Sequence, residues 1–211
     1  MREFRPASLA LVFLCLTSCQ DEPTVVPGNS AGPAQVDIDM SPSIQSDVSR
    51  PLWPFAVKWK LPKNQIMDKE KTKLDFTQSY FVGSKDFGYF RYTERVLTST
   101  TDAGIELGDP IGAQIALLMS EHPGAEPFPI KKLPERVQGQ GAVMTSTDWS
   151  SMSHVYHIHL RDPAPSSKSE NADMITGYLL TFDMAGPPDH PWGSKGLFTR
   201  AVLTTLTFGA L

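Results

Sequence analysis

Cysteine is nearly absent. The chain of 211 residues has two, Cys15 and Cys19, both close to its start. The rest of the chain has no thiol, which excludes a cysteine nucleophile, a zinc–thiolate cluster and a disulfide staple from it. Any fold there must be held by its apolar core, and the length suffices for one ordinary domain. Long apolar runs are missing too. Leu9 to Leu16 is about half of the roughly 20 residues that a membrane-spanning helix needs. There is no basic block and no arginine-rich patch, so nucleic acid is not an expected partner. The formal net charge is -4, and Arg2, Arg5 and Glu3 leave the chain beyond them one unit more acidic. Ser-x-x-Lys, His-Glu-x-x-His and a glycine-rich phosphate loop are absent, and the one Gly-x-Ser-x-Gly, Gly28 to Gly32, falls in a proline- and serine-rich stretch without the strand and helix that a nucleophile elbow needs. No catalytic machinery is therefore expected.

What is present begins at the N-terminus. Arg2 and Arg5 precede the apolar run, and Leu16-Thr17-Ser18-Cys19 closes it. A basic start, a short apolar core and small residues before a cleavage point describe a secretory signal. The tetrapeptide resembles the lipobox of bacterial lipoproteins. That resemblance implies a diacylglycerol on the Cys19 thiol, cleavage just before it, and acylation of the new N-terminus. Two or more chains anchor stably, since each buried methylene contributes about 0.8 kcal/mol. In such lipoproteins an aspartate after the cysteine holds the protein in the inner membrane. Gln20 stands there, so the resemblance implies the periplasmic face of the outer membrane, with the inner membrane as the alternative. It covers residues 1–19 and implies no fold. The expected organisation is a signal peptide over 1–18, a lipidated N-terminus and flexible tether over 19–49, and a single β-rich domain over 50–211.

Residues 20–49 alternate prolines and glycines with serines and aspartates, too little apolar material to offset the entropy of ordering. A brief strand is conceivable at Val36 to Met40. From Trp53 to Leu61 the odd positions are large and apolar, which predicts a strand with one buried face. Lys63 to Lys73 reads as a loop or an exposed helical turn. Strands follow at Leu74–Val82 and Tyr89–Leu97, with Phe90, Tyr92 and Val96 on one side and Arg91, Thr93 and Arg95 on the wet side. Asp109-Pro110 opens the one clear helix, because aspartate caps free amides and proline suits the first helical position. Ile111, Ile115, Leu118 and Met119 form its stripe, and Pro123-Gly124 ends it. Residues 123–136 read as a long surface loop. Further strands are predicted at Ala142–Thr147, His154–Arg161, Ile175–Asp183 and Leu197–Phe208. There is no βαβ alternation, so the expected fold is an antiparallel β-sandwich or open barrel with one short helix. The alternative is an α+β fold, with the helix packed on an antiparallel sheet.

The sharpest constellation is His154-Val155-Tyr156-His157-Ile158-His159. On a strand, His157 and His159 share the face opposite Tyr156, Ile158 and Leu160. Two imidazoles at that spacing can hold a divalent metal, with Glu94, Asp183, His122 or His190 as a third ligand. The plainer reading places both histidines on the wet face beside Arg161. Pro187-Pro188-Asp189-His190-Pro191-Trp192-Gly193 puts a tryptophan on a stiff loop, and aromatic residues dominate interface hot spots. Trp192 and Trp149 are thus candidate partner contacts, unless they fold back over the sheet. The expected function is a non-enzymatic protein-binding module, tethered by the Cys19 lipid, that meets a protein partner in the periplasm. It would be an inhibitor or immunity protein against a delivered toxin, or an accessory of secretion or envelope assembly. A metal-binding protein or metal-dependent enzyme using His157 and His159 is the alternative.

Overall fold

The alternation along the chain builds one large antiparallel sheet. The computed structural model describes residues 38–40, 44–45, 57–63, 65, 68–70, 77–99, 108–165 and 174–209. Cys19, nearly all of the tether and Trp53–Ala56 lie outside them. Asp37–Leu211 forms one unit. Its strands are β1 (Ile44–Gln45), β2 (Val57–Trp59), β3 (Asp68–Glu70), β4 (Thr77–Ser84), β5 (Gly88–Thr98), β6 (Glu126–Pro129), β7 (Val137–Thr145), β8 (Ser150–Pro165), β9 (Met174–Gly186) and β10 (Thr207–Phe208). The helices are α1 (Pro110–Glu121) and α2 (Leu197–Thr205). Seven strands pair in the order β3-β4-β5-β9-β8-β7-β6, and β1-β2-β10 form a second, small sheet. Every described pairing is antiparallel. The fold is mainly β, sandwich-like and without a closed barrel, as the alternation predicts.

One face of the large sheet carries the main core. Phe90 and Tyr92 of β5, Tyr156 and Ile158 of β8, and Tyr178, Leu180, Phe182 and Met184 of β9 are all buried. Val57 and Trp59 of β2, Leu61 and Val202 of α2 join the same cluster. The Trp59 ring lies 4.3 Å from Tyr92 and meets Phe182 edge-on at 5.6 Å, the tilted and edge-to-face arrangements that aromatic quadrupoles favour. The opposite face is smaller. There Ile111 and Ile115 of α1 pack on Val155, Leu179, Ala142 and Leu97. Asp109 caps α1 as expected, its Oδ1 accepting from the Gly112 amide at 2.8 Å.

Several boundaries differ from the expectation. β1 pairs with β2, and Met40 bridges to Pro62, so structure begins upstream of residue 50. Asp68–Glu70 is a strand, and the supposed loop 123–136 contains β6. The larger correction is Leu197–Thr205, which is a helix and not a strand. Gly196 starts it, and Phe198, Val202 and Leu203 recur at helical spacing toward the core. Thr204 and Thr205 donate their hydroxyls to the carbonyls of Ala201 and Val202, both at 2.8 Å. Hydroxyls that bond back in this way let threonine sit in a short helix despite its β-branched side chain.

The β4–β5 hairpin turns through Lys85-Asp86-Phe87, with Ser84 paired to Gly88. Gly88 holds φ +139°, and a Cβ there would meet the His190 ring at 2.4 Å. Only glycine combines that conformation with that approach.

Candidate functional site

β8 sends His154, Tyr156 and Ile158 to one side and Val155, His157 and His159 to the other, beside α1. The expected pairing of His157 and His159 is present: their ring centroids are 3.9 Å apart. They are not on a wet face. His157 is 8% exposed, and its Nε2 lies over Gly177, where a Cβ would come within 2.9 Å. Burial pushes His157 down to about 4; the neighbouring His159 adds to this, and Asp109 opposes it. The Nε2 of His159 is buried with no hydrogen-bond partner. Both rings are thus close together, and His157 is neutral at pH 7.

A third ligand is another matter. Among the described residues no group of three His, Cys, Asp or Glu side chains could hold a metal. Glu94 is 1% exposed, on the core side of β5. His190 lies against Gly88 and Gly186. His122 is the C-cap of α1, and Asp183 is held elsewhere on β9. The four expected third ligands do not complete the pair.

Asp183 belongs to a different cluster. Ser153 donates its hydroxyl to Asp183 Oδ1 at 2.6 Å. Burial raises the Asp183 carboxyl above its usual range and Glu121 adds to this, against the Ser153 hydrogen bond, the Arg91 guanidinium and His122. Tyr89 is raised as well, first by burial and then by Asp183. Beside them the rings of Phe81 and Tyr89 stack at 5.4 Å, and the Arg91 guanidinium sits 5.8 Å from both centroids. All three side chains are half-buried and reach solvent. Phe87, at the tip of the same hairpin, is 73% exposed.

Sequence reasoning missed this group, reading Arg91 only as a solvated residue. The signal was available in the turn. Gly83-Ser84 and Gly88 bracket a short loop, and a hairpin closed there puts Phe81 opposite Arg91.

The tryptophans divide. Trp192 is 2% exposed, 5.4 Å from Phe90 and 5.2 Å from Phe198. It is a core residue, which corrects its expected role as a contact. The loop folds back because successive turns close on one another: the amides of His190, Gly193 and Gly196 donate to the carbonyls of Pro187, His190 and Gly193. Trp149 is half-buried in the β7–β8 turn, its amide donating to Ser146 Oγ at 3.0 Å. No helix among the described residues is long and apolar enough to cross a membrane. Comparison with protein-family models, with curated proteins and with solved structures finds no match, so the function is argued from this chain's own residues.

Proposed function

We propose that the chain is a non-enzymatic protein-binding module, held by a lipid on Cys19 at the periplasmic face of the outer membrane. Within that reading it acts as an inhibitor or immunity protein against a toxin delivered to the periplasm. The observation that carries the binding role is the Phe81–Arg91–Tyr89 stack beside exposed Phe87. Tyrosine and arginine are enriched at interface hot spots, and a ring-stacked guanidinium loses little freedom on binding. The hairpin presents these groups from paired strands rather than a loose loop.

The test compares capture of a partner from envelope extract by the wild-type protein and by Arg91→Ala and Phe87→Ser. We expect one stoichiometric protein with the wild type, and a loss of affinity on the order of 30-fold with Arg91→Ala, the ~2 kcal/mol of a hot spot. Equal capture by both variants would remove this surface from the reading. The captured protein's identity separates toxin inhibition from secretion or envelope assembly.

A second reading has its own observation. The paired rings, with the buried Nε2 of His159 lacking a partner, suit a divalent metal bound by His157 and His159. Equilibrium dialysis against zinc is expected to give about one metal per chain, lost in His157→Ala/His159→Ala. Stoichiometric metal that survives the double substitution would place the metal elsewhere.

A further inference from the structure

A cavity of about 470 Å³ opens where α2 begins, lined among others by Ser150, Ser194, Lys195, Leu197 and Arg200. Its chemistry is that of an anion site. Lys195 and Arg200 bring two cations, and the N-terminus of α2 adds the positive end of a helix dipole. Gly196 stands at the N-cap with no side-chain cap; the Pro191 carbonyl accepts from the Phe198 and Thr199 amides there, which leaves the two cations as the main attraction for an anion. The independent observation is Ser194. It is 4% exposed, yet its Oγ has no hydrogen-bond partner among the described residues. Its own amide donates to Ser150 Oγ at 3.0 Å, which fixes the residue against the cavity wall. An unpaired buried hydroxyl destabilises the fold, a cost that a ligand oxygen would relieve.

We propose that this cavity binds a phosphate monoester, with Lys195 and Arg200 neutralising its charge and Ser194 donating to one oxygen. A dianion suits two cations better than a carboxylate does, and arginine matches the geometry of paired phosphate oxygens. Pro188, Pro191 and half-exposed Leu197 line the same cavity and give the organic part of the ester an apolar wall. Asp189 also lines it and opposes an anion, so it sets a limit on affinity.

The monoester can come from a soluble metabolite or a lipid headgroup. The full-length protein is titrated with inorganic phosphate, with glycerol 3-phosphate, and with short-chain phosphatidic acid below its micelle concentration. We expect saturable binding of inorganic phosphate and tighter binding of one organic ester, which identifies the source. Lys195→Ala/Arg200→Ala should weaken binding by about tenfold or more, as loss of charge-assisted hydrogen bonds implies. Ser194→Ala should weaken it without lowering the melting temperature, because its Oγ bonds nothing among the described residues. Asp189→Asn should tighten it. Absence of saturable phosphate binding, or binding unaltered in Lys195→Ala/Arg200→Ala at an unchanged melting temperature, overturns the proposal.

Discussion

Acidification from pH 6.5 toward pH 4 is expected to remove on the order of 3–5 kcal/mol of folding stability. Two histidines cause this. Burial lowers His154 from 6.5 to about 4, and burial with a neighbouring imidazole lowers His157 likewise. Each therefore binds its proton more weakly in the folded chain than in the unfolded one. The unfolded state takes up protons first as pH falls, so the stability is fully present above 6.5 and is lost through that window. His154 has little relief available: its Nδ1 is 3.0 Å from the Tyr156 hydroxyl, and the Phe128 ring meets it edge-on. His157 faces His159 and, less strongly, Asp109. Asp183 works in the opposite direction. Its raised carboxyl favours the folded state as pH drops toward 3.8, which softens the acid end of the curve.

The full shift of two groups would give more than the figure above, and residual solvent access reduces it. Domains of this size hold about 5–15 kcal/mol, so the loss brings the fold near its limit. Urea denaturation from pH 7.5 to 4 is the measurement. The midpoint should fall steeply below pH 6.5, and His154→Phe should flatten part of that fall. A midpoint constant down to pH 4.5 would mean that both imidazoles are solvated in the native state.

The sequence shows most of the sheet because its signal is local. β5 alternates buried and half-buried positions from Gly88 to Arg95, a period of two that needs no tertiary knowledge. α1 is equally legible, since Asp109-Pro110 states its start and Pro123-Gly124 its end. The failures lie where packing overrides composition. Leu197–Thr205 is β-branched and threonine-rich, yet Gly196 and burial of Val202 against the core make it helical. Glu94 stands in the sequence as a candidate third ligand for His157 and His159, whereas its parity with Phe90 and Tyr92 carries it into the core at 1% exposure. The candidate sites divide in the same way. The His157–His159 pair follows from strand period alone. The Phe81–Arg91–Tyr89 stack needs the register of the hairpin, and the Ser194 cavity needs α2 to be a helix.

Trp192 carries the second large effect. Trp192→Ala is expected to destabilise the fold by about 3–5 kcal/mol, the usual cost of deleting a buried tryptophan. The ring is 2% exposed, packs on Phe90 and Phe198, and joins the 187–196 loop to the large sheet and to α2. Removing it leaves a cavity that the loop's chained turns cannot easily close, since Trp192 is pinned through its amide to His190 Nδ1 at 3.1 Å. In a chain of this size the melting temperature should drop by on the order of 10 °C. Trp149→Ala, in a half-buried turn, should cost less than about 1 kcal/mol. The comparison also separates core from contact. At a temperature where Trp192→Ala remains folded, its capture of a partner through Arg91 should match the wild type. A variant that melts like the wild type but no longer binds would return Trp192 to the surface and reassign the interface to the proline-rich loop.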